Sequence, residues 1–147
     1  MSLSSWLANG WLVAHEASPE EIDDLLAIVD RDLTDAAIEA LSPDWRLGIA
    51  YNAALQLATL ALAAEGFRPG RQRGHEYALR SLAYTIEAES ALVDVLDGVR
   101  RKRNLSHYER TGTTSSGEAL EIYTLAAQLR ARVVSWLQDS HPDLYQA

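Results

Sequence analysis

The chain contains no cysteine among its 147 residues. Disulfides, thiolate metal sites and a cysteine nucleophile are therefore excluded. Glycine and proline are also scarce, with 8 and 4 residues, while 48% of the residues are hydrophobic. This composition is sufficient for one packed core, and it predicts a single domain over residues 1–147.

Long apolar runs are missing as well. The longest, at residues 49–64, is interrupted by four polar residues, Tyr51, Asn52, Gln56 and Thr59. Near the N-terminus, the apolar run at residues 12–14 is too short for the core of a signal sequence, and no basic segment precedes it. We therefore expect a soluble, cytoplasmic protein.

Basic residues are outnumbered, but they are not evenly spread. The net charge is −8. Residues 1–66 carry 11 acidic and 2 basic side chains, residues 67–110 carry 6 and 9, and residues 111–147 carry 4 and 2. The acidic total argues against a protein that holds nucleic acid by bulk electrostatics. The middle third is compatible with a local cleft for one or two phosphates.

Recognisable cofactor motifs are absent. The four histidines show no i, i+4 pairing and no acidic ligand framework; they are His15, His75, His107 and His141. No glycine-rich loop is followed by Lys and Ser or Thr, which excludes nucleotide hydrolysis of the P-loop type. We expect neither a metal nor another cofactor.

Helical signals fill most of the chain. Ser18 and Pro19 precede apolar residues at helical spacing, and Ser42 and Pro43 repeat this start signal before a long segment that ends near Gly66. Helices are predicted at residues 19–31, 35–41, 43–65, 75–86, 89–110 and 118–138. Residues 111–117 are predicted to be a mobile loop, residues 1–17 an N-terminal extension and residues 139–147 a C-terminal tail.

The predicted fold class is all-α, an antiparallel bundle of four to six helices. No segment shows the alternation of a half-buried strand, although residues 6–14 are ambiguous. Five bulky residues are expected in the packed interior: Tyr51, Leu55, Leu62, Leu92 and Leu96.

Residues 100–110 concentrate basic charge, an imidazole and a phenol. Leu92, Leu96 and Val99 form an apolar stripe whose next members are Arg103 and His107. At 100° per residue, Arg100 and His107 lie about 20° apart around the helix axis, whereas Arg101 lies about 120° from His107. Four residues therefore share one face: Arg100, Arg103, Asn104 and His107.

The sequence of this segment, together with its surroundings, resembles the HEPN family. Residues 103–108 read Arg-Asn-Leu-Ser-His-Tyr, and the family's hallmark is an Arg followed after four to six residues by a His, often with Asn directly after the Arg. Residues 51–55, 61–68 and 74–75 are similar to a subgroup of small prokaryotic HEPN proteins. The likeness covers about residues 20–137.

The resemblance implies a HEPN-like helical bundle that dimerises, with the motif helices of two subunits forming a composite cleft. Catalytic members cleave single-stranded RNA without metal, and many belong to toxin–antitoxin pairs with an antitoxin or nucleotidyltransferase partner. In this chain His107 would act as general acid or base. Arg100, Arg101 or Arg103 would hold the phosphate, and Asn104 would orient the Arg, the phosphate or a helix end.

The spacing departs from the family pattern: where Arg-Asn opens the motif, the His normally stands five positions after the Arg, but here Tyr108 occupies that place and His107 stands four positions after Arg103. Counting from Arg101 or Arg100 restores five or six intervening residues. Two functions follow. We favour a non-catalytic module that binds RNA, a nucleotide or a partner, with Arg101, Asn104 and Tyr108 as binding residues. The alternative is a metal-independent endonuclease of single-stranded RNA that uses His107 with Arg100 and Arg103.

Simpler roles are also compatible with these residues. The basic run at residues 100–103 suits a solvated helix C-terminus. His107 could be a capping or interface residue, and Tyr108 could be a packing or hydrogen-bonding residue. His75 with Arg71 and Arg73 is either a second anion-binding patch or an ordinary loop and helix start.

Overall fold

The computed structural model describes residues 1–106 and 114–145, with the backbone alone at residues 104–106. The expected all-α bundle is confirmed. Four long helices, α2 (Pro19–Ala36), α3 (Pro43–Ala64), α6 (Ser90–Ser106) and α7 (Ser116–Ser140), are joined by short elements. These are α1 (Leu3–Ala8), β1 (Leu12–Ala14), β2 (Phe67–Pro69), α4 (Gly74–Arg80) and α5 (Leu82–Thr85).

Helix α3 is the central helix. The Ser42 hydroxyl accepts a hydrogen bond from the Trp45 N–H at 3.3 Å, and Pro43 opens the first turn. Apolar residues then surround the helix, which packs mainly against α2 and α7. Among the described residues, only α3 is long and apolar enough to cross a membrane, but 67% of its apolar window is buried, as in the core helix of a soluble protein.

Two predicted helices have different bounds. Helix α2 continues to Ala36, and turns follow at residues 37–41, so residues 35–41 form no separate helix. The segment predicted at residues 75–86 is divided into α4 and α5 at Ser81. The Ser81 hydroxyl donates to the Ala78 carbonyl at 2.6 Å, a local hydrogen bond that competes with regular helix.

The N-terminal segment is packed against the bundle. Strand β1 pairs with β2 in antiparallel register, with Val13 opposite Arg68. Trp6 and Leu12 are buried with Leu62 and Tyr77 in a small second core. A Cβ added at Gly70 would lie 2.8 Å from the Gly10 carbonyl oxygen, so this close approach of two connections requires glycine. The ambiguous residues 6–14 thus contribute both a helix and a strand.

Four of the five predicted interior residues, Tyr51, Leu55, Leu62 and Leu96, are buried. Leu92 is only partly buried, because it lines a groove between α6 and α7. At the other end of the chain, α7 continues to Ser140, and Leu144 and Tyr145 pack against the core.

Candidate functional site

Three elements meet where α6 ends. The last turns of α6 carry four consecutive basic residues at 100–103. The Lys102 ammonium lies 2.6 Å from the Glu118 carboxylate at the start of α7. The Thr114 N–H donates to the Asp44 carboxylate of α3 at 3.3 Å. The basic end of α6, residues 100–103, therefore lies beside the starts of both neighbouring helices.

Arg100 links α6 to α4. Its Nε lies 2.7 Å from Asp97 and its terminal nitrogen 3.3 Å from Glu76, and only 19% of the side chain is exposed. The hydrogen bond with Asp97 raises the pKa of Arg100 above its ordinary value, and the charges of Asp97 and Glu76 add to this. The cation is permanent, and its charge is largely balanced by the two carboxylates.

Glu76 gathers three arginines around one carboxylate. Besides Arg100, it pairs with Arg73 and, at 3.5 Å, with Arg80. The carboxylate is mostly shielded from solvent. Because one acid serves three guanidinium groups, the surface that joins α4 to α6 carries an excess of positive charge.

Arg103 lies over a buried phenol. Its guanidinium carbon is 5.3 Å from the centre of the Tyr51 ring, a cation–π distance. A Cβ at Gly48 would lie 3.6 Å from the Arg103 Nε, so the small residue leaves room for this side chain. Arg100 and Arg103 are both close enough to influence the ionisation of the Tyr51 phenol. The structure thus places these two arginines on one face of α6.

Tyr51 itself is 2% exposed, and its hydroxyl has no hydrogen-bond partner within the described residues. Burial raises the pKa of the phenol, which the positive charges of Arg100 and Arg103 partly oppose. A buried hydroxyl without a hydrogen-bond partner lowers the stability of the fold, so packing alone does not explain a tyrosine beside two cations. It is a donor that a bound phosphate oxygen or water could satisfy.

Arg101 points away from this face, as its position around the helix predicts. Its side chain is 67% exposed, and it pairs with Asp97 at 3.5 Å. Of the remaining predicted site residues, Asn104 lies on the last turn of α6, and its side chain is outside the described residues, as are His107 and Tyr108. Their roles therefore stay predictions.

The sequence reasoning missed Glu76 and Asp97 and treated Tyr51 only as core. The spacing of Asp97 with Arg100 and Arg101, at i+3 and i+4 on a helix, was a usable signal for the local pairs. No local pattern connects Glu76 to Arg100 or Tyr51 to Arg103, because these contacts join distant parts of the chain.

A groove runs between α6 and α7. One cavity of about 550 Å³ is lined by Leu92 of α6 and by six residues of α7, which are Gly117, Leu120, Glu121, Thr124, Leu125 and Gln128. A second, of about 240 Å³, lies beside it and extends to Val95, Val99 and Lys102. Leu120 and Val95 are exposed, at 54% and 40%. The groove is therefore an apolar surface that adjoins the basic end of α6.

Comparison of the chain with protein-family models, curated proteins and solved structures finds no match. Within residues 1–106 and 114–145, no group of three or more His, Asp or Glu side chains is arranged to hold a metal ion. The basic end of α6 is therefore the candidate site, on its geometry.

Proposed function

We propose that the chain is a HEPN-like dimeric module of the cytoplasm that binds single-stranded RNA at the basic end of α6, within a toxin–antitoxin system. The observation that carries the proposal is the position of Arg103 over Tyr51, beside the exposed Arg101, in a protein of net charge −8. A concentration of four basic side chains in so acidic a chain favours a local site for phosphate.

Binding suits this arrangement better than catalysis. Arg100, which has the family spacing to His107, is held by Asp97 and Glu76 and is mostly shielded from solvent. It positions α6 against α4. Arg101 and Arg103 are exposed on different sides of α6, so each would supply donors to a different phosphate of the strand.

The proposed partner in the dimer is a second copy of the chain. The α6–α7 groove supports this, since it exposes Leu120 and Val95 next to the helix that carries the motif. In the HEPN family, which the chain resembles, the motif helices of two subunits meet. An antitoxin or a nucleotidyltransferase is the proposed partner outside the dimer.

A fluorescence anisotropy titration with labelled single-stranded RNA tests the binding role. The variant Arg101→Gln, Arg103→Gln should bind about tenfold more weakly for each phosphate that an arginine no longer holds. Its salt dependence should be shallower by about 0.7 for each such phosphate. The matched control is Arg31→Gln, Arg130→Gln, which removes the same charge from α2 and α7. Equal affinities of the two variants would place the site elsewhere, and a mononucleotide that competes equally well would identify a nucleotide site.

The ribonuclease alternative is favoured by one observation, the shared face of Arg100 and Arg103 beside Tyr51. In that case His107→Ala should abolish cleavage of unpaired RNA in the presence of a chelator, since a positioned acid or base contributes about 10²–10⁴-fold. The products should end in a 2′,3′-cyclic phosphate. Cleavage that survives His107→Ala would defeat this assignment.

A further inference from the structure

Four aromatic rings cluster where α1, β1, α4 and α5 meet. Trp6 lies edge-on to Trp11, Tyr77 and Tyr84, with ring centres 6.1, 5.3 and 5.2 Å away. Trp11 also stacks on Tyr77 at 5.1 Å, with their planes 13° apart. Trp6 and Tyr77 are buried, but Trp11 is half-buried and Tyr84 is 39% exposed. The cluster therefore offers ring surface to solvent.

Arginines lie over the two buried rings of the cluster. The Arg73 guanidinium lies 5.2 Å from the Tyr77 ring centre, and the Arg80 guanidinium lies 5.5 Å from Trp6. Both are exposed, as are Arg68 and Arg71 on β2 and the loop that follows it. Residues 67–80 contain four arginines, Arg68, Arg71, Arg73 and Arg80, against a single acid, Glu76. We call the surface formed by Trp11, Tyr84, Arg71, Arg73 and Arg80 the aromatic–arginine surface.

The backbone of Arg73 is strained. Its φ of 57° lies in the left-handed region, which is unfavourable for a residue with a long side chain. This conformation accompanies the Arg73 contacts with Glu76 and Tyr77. Strain of this kind persists where the surrounding structure holds it, often at functional sites.

The aromatic–arginine surface is continuous with the basic end of α6. The Glu76 carboxylate contacts Arg73 and Arg80 on one side and Arg100 on the other. The guanidinium groups of α4 and α6 therefore lie around one carboxylate. A polyanion held by Arg101 and Arg103 would reach Arg80 and Arg73 by following this line of cations.

We propose that the aromatic–arginine surface binds single-stranded RNA, with bases stacked on Trp11 and Tyr84 and phosphates held by Arg71, Arg73 and Arg80. Aromatic rings interleaved with cations are the common means of holding unpaired strands without base-specific contacts. The inference rests on the proposed function and extends it, because it continues the RNA path from the end of α6 to Trp11 and to residues 71–84.

The test uses oligouridines of about 4 and about 16 nucleotides, lengths that bracket the usual site sizes. In anisotropy titrations, Tyr84→Ala should weaken binding of the long RNA by roughly 5- to 150-fold, the usual effect of removing one stacked ring. The short RNA, bound at the end of α6, should be unaffected. Arg71→Gln, a change at an exposed loop position, should also weaken only the long RNA. Arg130→Gln is the charge control, and circular dichroism of each variant checks that the bundle is intact.

The outcomes separate the two proposals. If the long RNA loses affinity in Arg101→Gln, Arg103→Gln but not in Tyr84→Ala or Arg71→Gln, the second surface is wrong and the proposed function stands. If wild type binds neither RNA, both fail. If polyglutamate displaces the long RNA as well as unlabelled oligouridine does, the surface recognises acidic polymers rather than unpaired bases, and the inference is overturned.

Discussion

A single phenol connects the core of this protein with its charged end. Tyr51 is buried on α3, yet Arg100 and Arg103 lie close enough to influence its ionisation. Its hydroxyl contributes no hydrogen bond within the described residues. At neutral pH the phenol is protonated and uncharged, so its effect on stability comes from desolvation.

Replacing Tyr51 by Phe should leave the free energy of unfolding at neutral pH unchanged or raise it by about 1 kcal/mol, because the hydroxyl that is removed had no partner. The pKa of Tyr51 is raised in the folded state, whereas in the unfolded chain it is about 10. The stabilisation that this shift provides is complete below pH 10 and is lost above it, as the unfolded chain ionises first. Urea unfolding should show wild type weakening more than Tyr51→Phe above pH 10. Parallel declines would contradict the burial of this phenol.

The residue contacts differ in how far the sequence could predict them. The pairs of Asp97 with Arg100 and Arg101 follow from helical spacing, and the shared face of Arg100 and Arg103 follows from the helix repeat. The position of Arg103 over Tyr51 required knowledge of how α6 crosses α3. The contacts of Arg100 with Glu76 required the packing of α4 against α6.

Among the elements, α3 and α7 represent two kinds of helix. Helix α3 is apolar on nearly every side and packs between α2 and α7, whereas α7 exposes one flank to the α6–α7 groove. Truncating an apolar side chain should therefore lower the free energy of unfolding strongly in α3 and only slightly on the groove side of α7.

Leu55→Ala in α3 should lower the free energy of unfolding by about 2–5 kcal/mol, since Leu55 is buried in the main core and its truncation leaves a cavity. Leu120→Ala in α7 is the matched control and should change it by less than about 0.5 kcal/mol at protein concentrations low enough to keep the chain monomeric, because Leu120 is mostly exposed there. Denaturant unfolding followed by circular dichroism measures both. Similar losses for the two variants would mean that the buried face of the bundle is misassigned.

The elements that the sequence failed to predict are the short ones. Strands β1 and β2 have three residues each, too few for an alternating pattern, and their pairing joins Leu12 to Pro69, far apart along the chain. The division between α4 and α5 depends on the Ser81 hydroxyl rather than on a proline or glycine. The long helices carried capping residues and apolar periodicity, so their existence was predictable although their ends were not.

At the scale of the whole molecule, acidic and basic residues are separated along the chain. The acidic residues are concentrated in the first 66 positions, and most basic ones lie on β2, the loop after it, α4 and the end of α6. The α6–α7 groove adds an exposed apolar surface next to the basic end. This arrangement supports the proposals that RNA binds on the basic side and that a second copy of the chain binds at the adjoining groove.

The dimer proposal predicts that light scattering gives twice the chain mass at micromolar concentration. The variant Val95→Asp, Leu120→Asp should be monomeric with the helical circular dichroism spectrum of wild type, because charges in the groove disfavour apolar contact between copies without disturbing the core. Leu7→Asp, which changes an exposed apolar residue on α1, is the control and should remain dimeric. A monomeric wild type would refute the dimer, and a dimeric groove variant would place the interface elsewhere.

Photocrosslinking of the wild-type protein to single-stranded RNA that contains 4-thiouridine, followed by mass spectrometry of the peptides, tests whether RNA binds at the basic end of α6. It reports where RNA lies without altering any residue. The account predicts crosslinks at the basic end of α6, at Trp11 and Tyr84, and at the loop after β2. Crosslinks confined to the acidic surface of α2, or none above the level of an unrelated acidic protein, would contradict RNA binding at the end of α6.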